Sequence, residues 1–303
     1  QDLIAQASTG SGKTVAFGLP LVERLQSTGL PSTPVQAVVL CPTRELADQV
    51  TLEIRRLARA RANVKVVTLC GGVPLRGQTL SLQHGADVVV GTPGRILDHL
   101  ERQSLSLHGV HTLVLDEADR MLDMGFFDDI AKVVHQCAKD RQTLLFSATY
   151  PQGIAKLAEQ FMRAPQQVKV EAQHDAHKIR QIFYEVKENE RLHVVSLLLA
   201  HFRPERTLAF CNTKQQCRDL VAVLQAQGIS ALALYGELEQ RERDQVLVQF
   251  ANRSCSVLVA TDVASRGLDV SGLEAVINVD VTPDPEVHIH RIGRTGRGDA
   301  EGL

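Results

Sequence analysis

Ala7-Ser8-Thr9-Gly10-Ser11-Gly12-Lys13-Thr14 is the stretch whose reading decides this chain. A short run, Leu3-Ile4-Ala5, leads into it. A segment with helix-like apolar spacing follows, at Val15, Phe17, Leu19, Leu21, Val22 and Leu25. Strand, glycine-rich turn, Lys-Thr and helix, in that order, make a cradle for nucleotide phosphates. Glycines let backbone N–H groups approach phosphate oxygens, and the helix start adds a favourable dipole. Lys13 is placed to reach the β- and γ-phosphates, and Thr14 to offer its hydroxyl to Mg²⁺. The usual pattern opens with Gly, and here Ala7 stands in that place. An ordinary β-turn also uses Gly and Ser, but Gly-Lys-Thr directly after an apolar strand start favours the phosphate reading.

Outward from that loop, 303 residues predict roughly two domains. The formal net charge is −2, so a nucleic-acid partner has to be held by a local patch and not by the field of the whole chain. Aromatics make up 4% with no Trp, which argues against base stacking as the main recognition device. The six cysteines (Cys41, Cys70, Cys137, Cys211, Cys217, Cys255) are scattered without a CxxC pair. They read as thiols of a reducing compartment, the cytoplasm, with neither a zinc site nor a disulfide framework. His108 and His111 lack further ligands nearby and read as loop histidines. No apolar run is long enough for a membrane span, so no membrane partner is expected. The chain starts at Gln1, almost on the phosphate loop, and reads as an internal piece of a longer protein.

The first half alternates apolar runs at 3–5, 35–41, 64–69, 87–90, 112–115 and 143–146 with helical patterns at 13–27, 44–60, 74–83, 94–102, 127–138 and 152–161. Apolar runs without alternation predict strands buried on both faces of a parallel sheet. The alternation of strand and helix predicts a doubly wound α/β fold. A polar stretch over 171–180 reads as a linker between a domain at 1–170 and another at 181–303. The second half predicts strands at 182–186, 207–211, 230–234, 256–260 and 275–279, and helices at 189–200, 214–227, 239–251 and 286–291. The halves echo each other. In each, an apolar strand ends at a Thr (Thr43, Thr213) and a second such strand ends at another (Thr92, Thr261), 49 and 48 residues later. Only the first half carries the phosphate loop.

Several strand ends could carry chemistry. The run 112–115 ends in Asp116-Glu117-Ala118-Asp119. Asp116 can hold Mg²⁺ opposite Thr14, and Glu117 can orient or deprotonate an attacking water. Ser147-Ala148-Thr149 closes the next run, either as a plain turn or as a hydrogen-bonding relay beside the nucleotide. Pro42-Thr43-Arg44, Thr92-Pro93-Gly94-Arg95 and Asn212-Thr213-Lys214 have the grammar of helix starts, with Thr as N-cap and Pro93 at the first helical position. Such ends also bind anions, and several along one face would make a track for a phosphodiester backbone. Gly71-Gly72 reads as a turn that also permits close approach of a backbone. Arg294 and Arg297, after His290-Arg291, form a basic loop or reach the γ-phosphate as arginine fingers.

Taken as an ordered set, these motifs resemble the helicase core of the DEAD-box ATP-dependent RNA helicases, over essentially the whole chain. The set is AxTGxGKT at Ala7–Thr14, PTREL at 42–46, Gly71-Gly72, TPGR at 92–95, DEAD at 116–119, SAT at 147–149, Gln240 with Arg243, ATDVASRGLD at 260–269 and HRIGRTGR at 290–297. The Ala at the head of the phosphate loop belongs to this family pattern. The resemblance implies two tandem RecA-like domains, each a mostly parallel sheet flanked by helices, with a cleft between them that closes over ATP–Mg²⁺ and one RNA strand. It implies that Ala7, Ser8, Thr9, Gly10, Ser11, Gly12, Lys13 and Thr14 hold the phosphates, with Asp269 at the ribose. Thr14 and Asp116 would serve the metal, Glu117 would be the catalytic base, and Lys13, Arg294 and Arg297 would complete the catalytic set. Asp119, Ser147, Thr149 and His290 would couple hydrolysis to the lobes. RNA would lie on Thr43, Arg44, Gly72, Thr92, Gly94, Arg95, Thr213, Gln240, Arg243, Thr261 and Asp262. Backbone contacts of that kind grip any sequence and distinguish RNA from DNA at the 2′-OH.

The implied activity is RNA-stimulated ATP hydrolysis with local, non-processive opening of short RNA duplexes, by a monomer. The wording around the motifs is most like bacterial members, some of which act on large-subunit ribosomal RNA. An ATP-gated RNA clamp and a DNA-directed motor are the competing readings. The family's adenine-reading motif is absent from the chain, and the pattern of the second lobe continues past Leu303. Ser265 stands where Ala is common.

Overall fold

Runs such as Ala37-Val38-Val39-Leu40 turn alternate side chains to opposite faces of a strand, so an all-apolar run needs cover on both faces. That cover organises the fold. The computed structural model describes residues 1–303 except 8–10, 27–33, 62, 171–178, 266–271 and 297–301, with backbone alone at 263, 286 and 290. The chain divides into two units, Gln1–Ala172 and Gln173–Leu303. Most of the expected linker lies outside the described residues.

In the first unit the order is β1 (Leu3–Gln6), α1 (Lys13–Arg24), β2 (Ala37–Leu40), α2 (Arg44–Leu57), β3 (Val66–Leu69), α3 (Leu75–Gln83), β4 (Val88–Gly91) and α4 (Pro93–Glu101). Then come β5 (Thr112–Leu115), α5 (Ala118–Asp123), α6 (Phe127–Gln136), β6 (Gln142–Ser147), α7 (Gln152–Phe161) and β7 (Gln166–Lys169). The strands form one sheet in the order β3-β4-β2-β5-β6-β1-β7, every pairing parallel. Val38, Leu40, Val89, Leu113 and Leu115 pack on one face against Ile96, Met121, Ile130, Val133, Ile154 and Leu157. Ala37, Val39, Val88, Val90 and Val114 pack on the other against Phe17, Leu21, Val22, Val50 and Ile54. Each fully buried aliphatic side chain contributes about 1.5–3 kcal/mol of transfer free energy. Strand packing leaves no room at Gly91, where an added Cβ would lie 2.2 Å from the Leu69 carbonyl oxygen. The last carbonyls of α1 are met by the Arg61 guanidinium, which donates to Glu23 O at 2.9 Å and Leu25 O at 2.7 Å.

The second unit contains α8 (Arg191–Phe202), β8 (Thr207–Phe210), α9 (Lys214–Ala226), β9 (Ala231–Leu234), α10 (Gln240–Ala251), β10 (Val257–Ala260), α11 (Asp262–Ser265), β11 (Ala275–Asn278) and α12 (Pro285–Ile292). Its parallel sheet runs β11-β8-β10-β9. The echo in the sequence is an echo in structure, since β2 pairs with β4 and β8 pairs with β10. Thr43 and Thr213 both cap their helices, accepting the N–H of Leu46 at 3.4 Å and of Gln216 at 3.2 Å.

Three sequence expectations need correction. The run 182–186 is not a strand. Phe183 is 73% exposed and Tyr184 49%, and the segment borders a groove beside β11 without joining its ladder. Apolar character suits a strand but supplies no ladder partner. Conversely, β7 is exposed along its whole length, with the sequence Gln-Gln-Val-Lys, and its pairing to β1 alone makes it an edge strand. Residues 118–123, which lie between two expected elements, form α5.

Asp2 pins the start of β1. It is 3% exposed, and its carboxylate accepts the N–H of Thr143 at 2.8 Å and of Arg163 at 2.6 Å. Asp2→Ala strands both donors, so chemical denaturation is expected to show a loss of about 2–4 kcal/mol.

Candidate functional site

In a parallel sheet all strands end on one edge, and ligands of open α/β sheets bind outside those carboxyl ends. Ala7, Thr43, Gly71, Thr92, Asp116 and Ser147 therefore stand along the same edge of the first unit. Ala7 is buried and donates its N–H to Ser147 O at 3.0 Å, which ties the head of the phosphate loop to β6. Ser8, Thr9 and Gly10 lie outside the described residues. Ser11 is exposed and precedes Gly12, whose φ of 83° is a left-handed conformation suited to Gly. Lys13 and Thr14 then form the first positions of α1.

Lys13 Nζ is buried and has no hydrogen-bond partner among the described residues. A buried ammonium in that condition costs several kcal/mol. An anion at the loop removes that cost, so the cradle fits a phosphate. The neighbouring Asp116 shows the complementary imbalance. It is 2% exposed, and burial pushes its carboxyl from the ordinary 3.8 up to about 6, against the pull of Lys13 and with help from the Glu117 charge. A desolvated carboxylate and a hydroxyl at the start of α1 are oxygen donors of the type a hard divalent cation takes. The residues therefore fit Mg²⁺ as well as phosphate. Cys41, beneath them, is pushed well above the usual thiol range by burial and then by Asp116, which removes it as a nucleophile.

Glu117 occupies a left-handed conformation at φ 51° and ψ 52°, unusual for a residue with a side chain. Its N–H donates to Asp116 Oδ1 at 3.0 Å. Its carboxylate accepts from Arg120 Nη1 at 3.0 Å, with both side chains nearly buried. The sharp turn thus aims Asp116 and Glu117 differently, and Arg120, which the sequence reading passed over, fixes the second acid. Asp119 accepts the N–H groups of Ala148 at 3.1 Å and Thr149 at 2.9 Å, and the Thr149 hydroxyl at 2.9 Å. The Ser147 hydroxyl donates to Thr149 O at 2.7 Å. The 116–119 and 147–149 motifs are one hydrogen-bonded unit.

The expected RNA track of this unit follows three neighbouring strand ends. Thr43 and Arg44 open α2, with Arg44 Nε 3.5 Å from Asp48. Gly72 has φ 78°. Thr92 takes the N-cap position of α4 with Pro93 next, but its side chain makes no capping bond, a correction to the capping role expected for it. Gly94 lies in the first turn of α4, and a Cβ there would meet nothing within 4 Å. Arg95 turns inward, to Val73 O at 3.1 Å and to Gln78 at 2.9 Å, a partner the sequence did not reveal.

In the second unit, Thr213 begins α9 and the charge of Lys214 is paired with Glu237 at 2.7 Å. Gln240 opens α10 and bonds Asp244 at 2.9 Å, while Arg243 donates to Ala264 O at 3.2 Å. Thr261 and Asp262 follow β10. Asp262 receives the buried Arg291 guanidinium on both oxygens, at 2.7 and 2.6 Å. Arg291 also reaches Asn212 and the Asp280 carbonyl, so it gathers three strand ends. Its place in His-Arg-Ile-Gly-Arg was the available signal. Arg294 lies just past α12, and the backbone of His290 lies within it. Asp269 and Arg297 are outside the described residues. The six cysteines are buried and free. No helix among the described residues is long and apolar enough to cross a membrane.

With this geometry in hand, the chain can be set beside known proteins. The DEAD/DEAH box helicase family matches residues 1–157, and the helicase conserved C-terminal domain matches 189–299. The chain is 50% identical to the ATP-dependent RNA helicase DbpA of Escherichia coli K12, over all of this chain and 66% of that protein. It is 46% identical to the ATP-dependent RNA helicase CshA of Listeria monocytogenes, over all of this chain and 58% of that protein. It therefore spans less than two thirds of these curated relatives. Among solved structures, S. cerevisiae Dbp5 bound to RNA and ADP BeF3 superposes with a TM-score of 0.87 at 31% identity, covering all of this chain and 78% of Dbp5. Both units are RecA-like, with parallel sheets flanked by helices.

The raised Asp116 carboxyl has a consequence for stability. The folded form holds its proton to a higher pH than the unfolded form, so ionisation costs stability as pH rises from about 4 to about 6. In the nucleotide-free protein at about pH 7, Asp116→Asn removes a penalty of the order of 2–3 kcal/mol. Melting curves are expected to show the variant more stable there, with the advantage shrinking towards pH 4.

Proposed function

This chain belongs to the DEAD/DEAH box helicase family, and from that premise we propose that the whole protein is an RNA-stimulated ATPase that opens short RNA duplexes locally, without processive travel. The single observation that carries the ATPase half is the buried Lys13 ammonium, without a hydrogen-bond partner among the described residues, beside the desolvated Asp116. Both groups are incomplete until a phosphate and a cation arrive.

In the proposed reaction, water attacks the γ-phosphate of ATP and the bond to the β-phosphate oxygen breaks, giving ADP and phosphate. Lys13 and the N–H groups at the start of α1 hold the phosphates. Thr14 and Asp116 would hold Mg²⁺, which would neutralise charge on phosphate oxygens. The Glu117 carboxylate orients the water and accepts its proton, while Arg120 keeps that carboxylate in place. Arg294 and Arg297 of the second unit approach the γ-phosphate when the units close, and Asp269 meets the ribose. Asp119, Ser147, Thr149 and His290 transmit the state of the nucleotide.

RNA would lie on the strand-end residues of both units, held by its phosphates and 2′-OH groups. The strand-end positions of Thr43, Gly72, Thr92 and Gly94 support this track. Ribosomal RNA is the proposed target class, on the resemblance to bacterial members, and the proposed form is a cytoplasmic monomer with domains at 1–170 and 181–303.

The test is the ATPase rate of the full-length protein with single-stranded RNA, with single-stranded DNA and with neither. Stimulation by RNA alone is expected. Equal stimulation by DNA sinks the RNA assignment, and slow turnover with long-lived RNA binding favours a clamp. Lys13→Ala is expected to lower the rate by at least about 10²-fold. Glu117→Gln should still bind ATP and RNA but not turn over, and normal hydrolysis by that variant would rule out Glu117 as the base.

A further inference from the structure

Beneath the Gly71-Gly72 turn and the first turn of α4 lies a buried polar cluster that the chemistry above does not use. Gln78 of α3 is 8% exposed, and His99 of α4 is fully buried. Arg95 Nη1 donates to Val73 O at 3.1 Å and to Gln78 Oε1 at 2.9 Å. Gln78 Nε2 donates to Cys70 O at 2.9 Å. His99 Nε2 lies 3.0 Å from the same Gln78 Oε1, and its Nδ1 lies 2.8 Å from Ser104 Oγ.

The chemistry of the partners fixes the roles of the Gln78 amide and of His99 Nε2. A guanidinium only donates, so the atom facing Arg95 is the amide oxygen of Gln78. A backbone carbonyl only accepts, so the amide nitrogen faces Cys70. The Gln78 oxygen cannot donate to His99, so His99 carries its proton on Nε2. Nδ1 can then only accept, and it shares the single Ser104 hydroxyl proton with the His99 carbonyl, 3.1 Å from that oxygen. Burial and the Arg95 charge lower the His99 pKa and keep the ring neutral. A fully satisfied buried network of this kind specifies one geometry, where an apolar filling would tolerate several.

We propose that Gln78, backed by His99, is a positioning residue for the RNA grip of the first unit. It acts through Arg95, locking the loop after β3 to the start of α4. The lock sets the distance between Gly72 and the Thr92–Gly94 turn, so that both meet one phosphodiester strand. Arg95 serves as the clamp, its charge spent on Val73 O, Gln78 and Asp98 at 3.3 Å. This inference rests on the RNA reading above.

The test uses the full-length protein, a fluorescent single-stranded ribo-oligonucleotide and a non-hydrolysable ATP analogue with Mg²⁺. Gln78→Leu keeps the volume but removes the network, and it is expected to weaken RNA binding about tenfold, the worth of one hydrogen bond. In ATPase assays the RNA concentration for half-stimulation should rise while the rate at saturating RNA stays put. In an Arg95→Ala background Gln78→Leu should add nothing further, because the two act as one unit. Gln78→Glu keeps the acceptor for Arg95 and His99 but loses the donor to Cys70 O, so it should weaken RNA binding less than Gln78→Leu does. Multiplying single-variant effects would overturn the inference, as would loss in Gln78→Glu equal to that in Gln78→Leu. Wild-type RNA binding unmoved by Gln78→Leu overturns this inference alone, and absence of RNA binding by the wild type overturns the RNA reading with it.

Discussion

One carboxylate holds the working edge of the first unit together. Asp119 accepts two backbone N–H groups and a hydroxyl from 148–149, and so fixes the end of β5 to the end of β6. Hydrogen bonds to a charged acceptor are worth about 1.5–3 kcal/mol each, more than neutral ones. From there the restraint passes to β1, because Ser147 O receives the Ala7 N–H at the mouth of the phosphate loop. These three strands are neighbours in the sheet. The acids after β5, the hydroxyls after β6 and the phosphate loop after β1 therefore cannot move independently.

The site built on that frame is electrostatically unfinished. The Lys13 ammonium is buried without a hydrogen bond among the described residues, and Asp116 is an acid whose charge burial disfavours. Glu117 adds backbone strain of the order of 1–3 kcal/mol in its left-handed turn. A structure selected for stability alone would fill this corner with apolar side chains. The imbalance makes sense when a polyanion and its cation complete the set, and their arrival then stabilises the fold by linkage.

Local rules explain what was legible in the sequence. Buried strands announced themselves as unbroken apolar runs, and Thr43 and Thr213 announced their caps through a hydroxyl before a helical pattern. The ordered motifs located the strand ends that carry the site. Tertiary features were not legible. The run 182–186 has strand composition but lies outside the ladder of β11, and β7 has no apolar pattern yet pairs with β1. Thr92 has cap grammar, but its hydroxyl makes no capping bond. Arg95 reads from the sequence as part of the RNA track, and nothing in its motif announces its partner Gln78, 17 residues away on another helix. Arg291 lies inside the 290–297 motif and Arg120 directly follows the 116–119 motif, but the partners of both come from the fold.

We propose that the nucleotide site and the RNA grip work as one machine. Thermodynamic linkage makes such coupling measurable, because each ligand must change the other's affinity by the same factor. The direct measurement is the affinity of the full-length protein for a single-stranded ribo-oligonucleotide with and without a non-hydrolysable ATP analogue and Mg²⁺, paired with analogue affinity with and without RNA. Tightening in both titrations by one common factor, of about tenfold or more, is expected. Equal RNA affinity in the presence and absence of the analogue would contradict it.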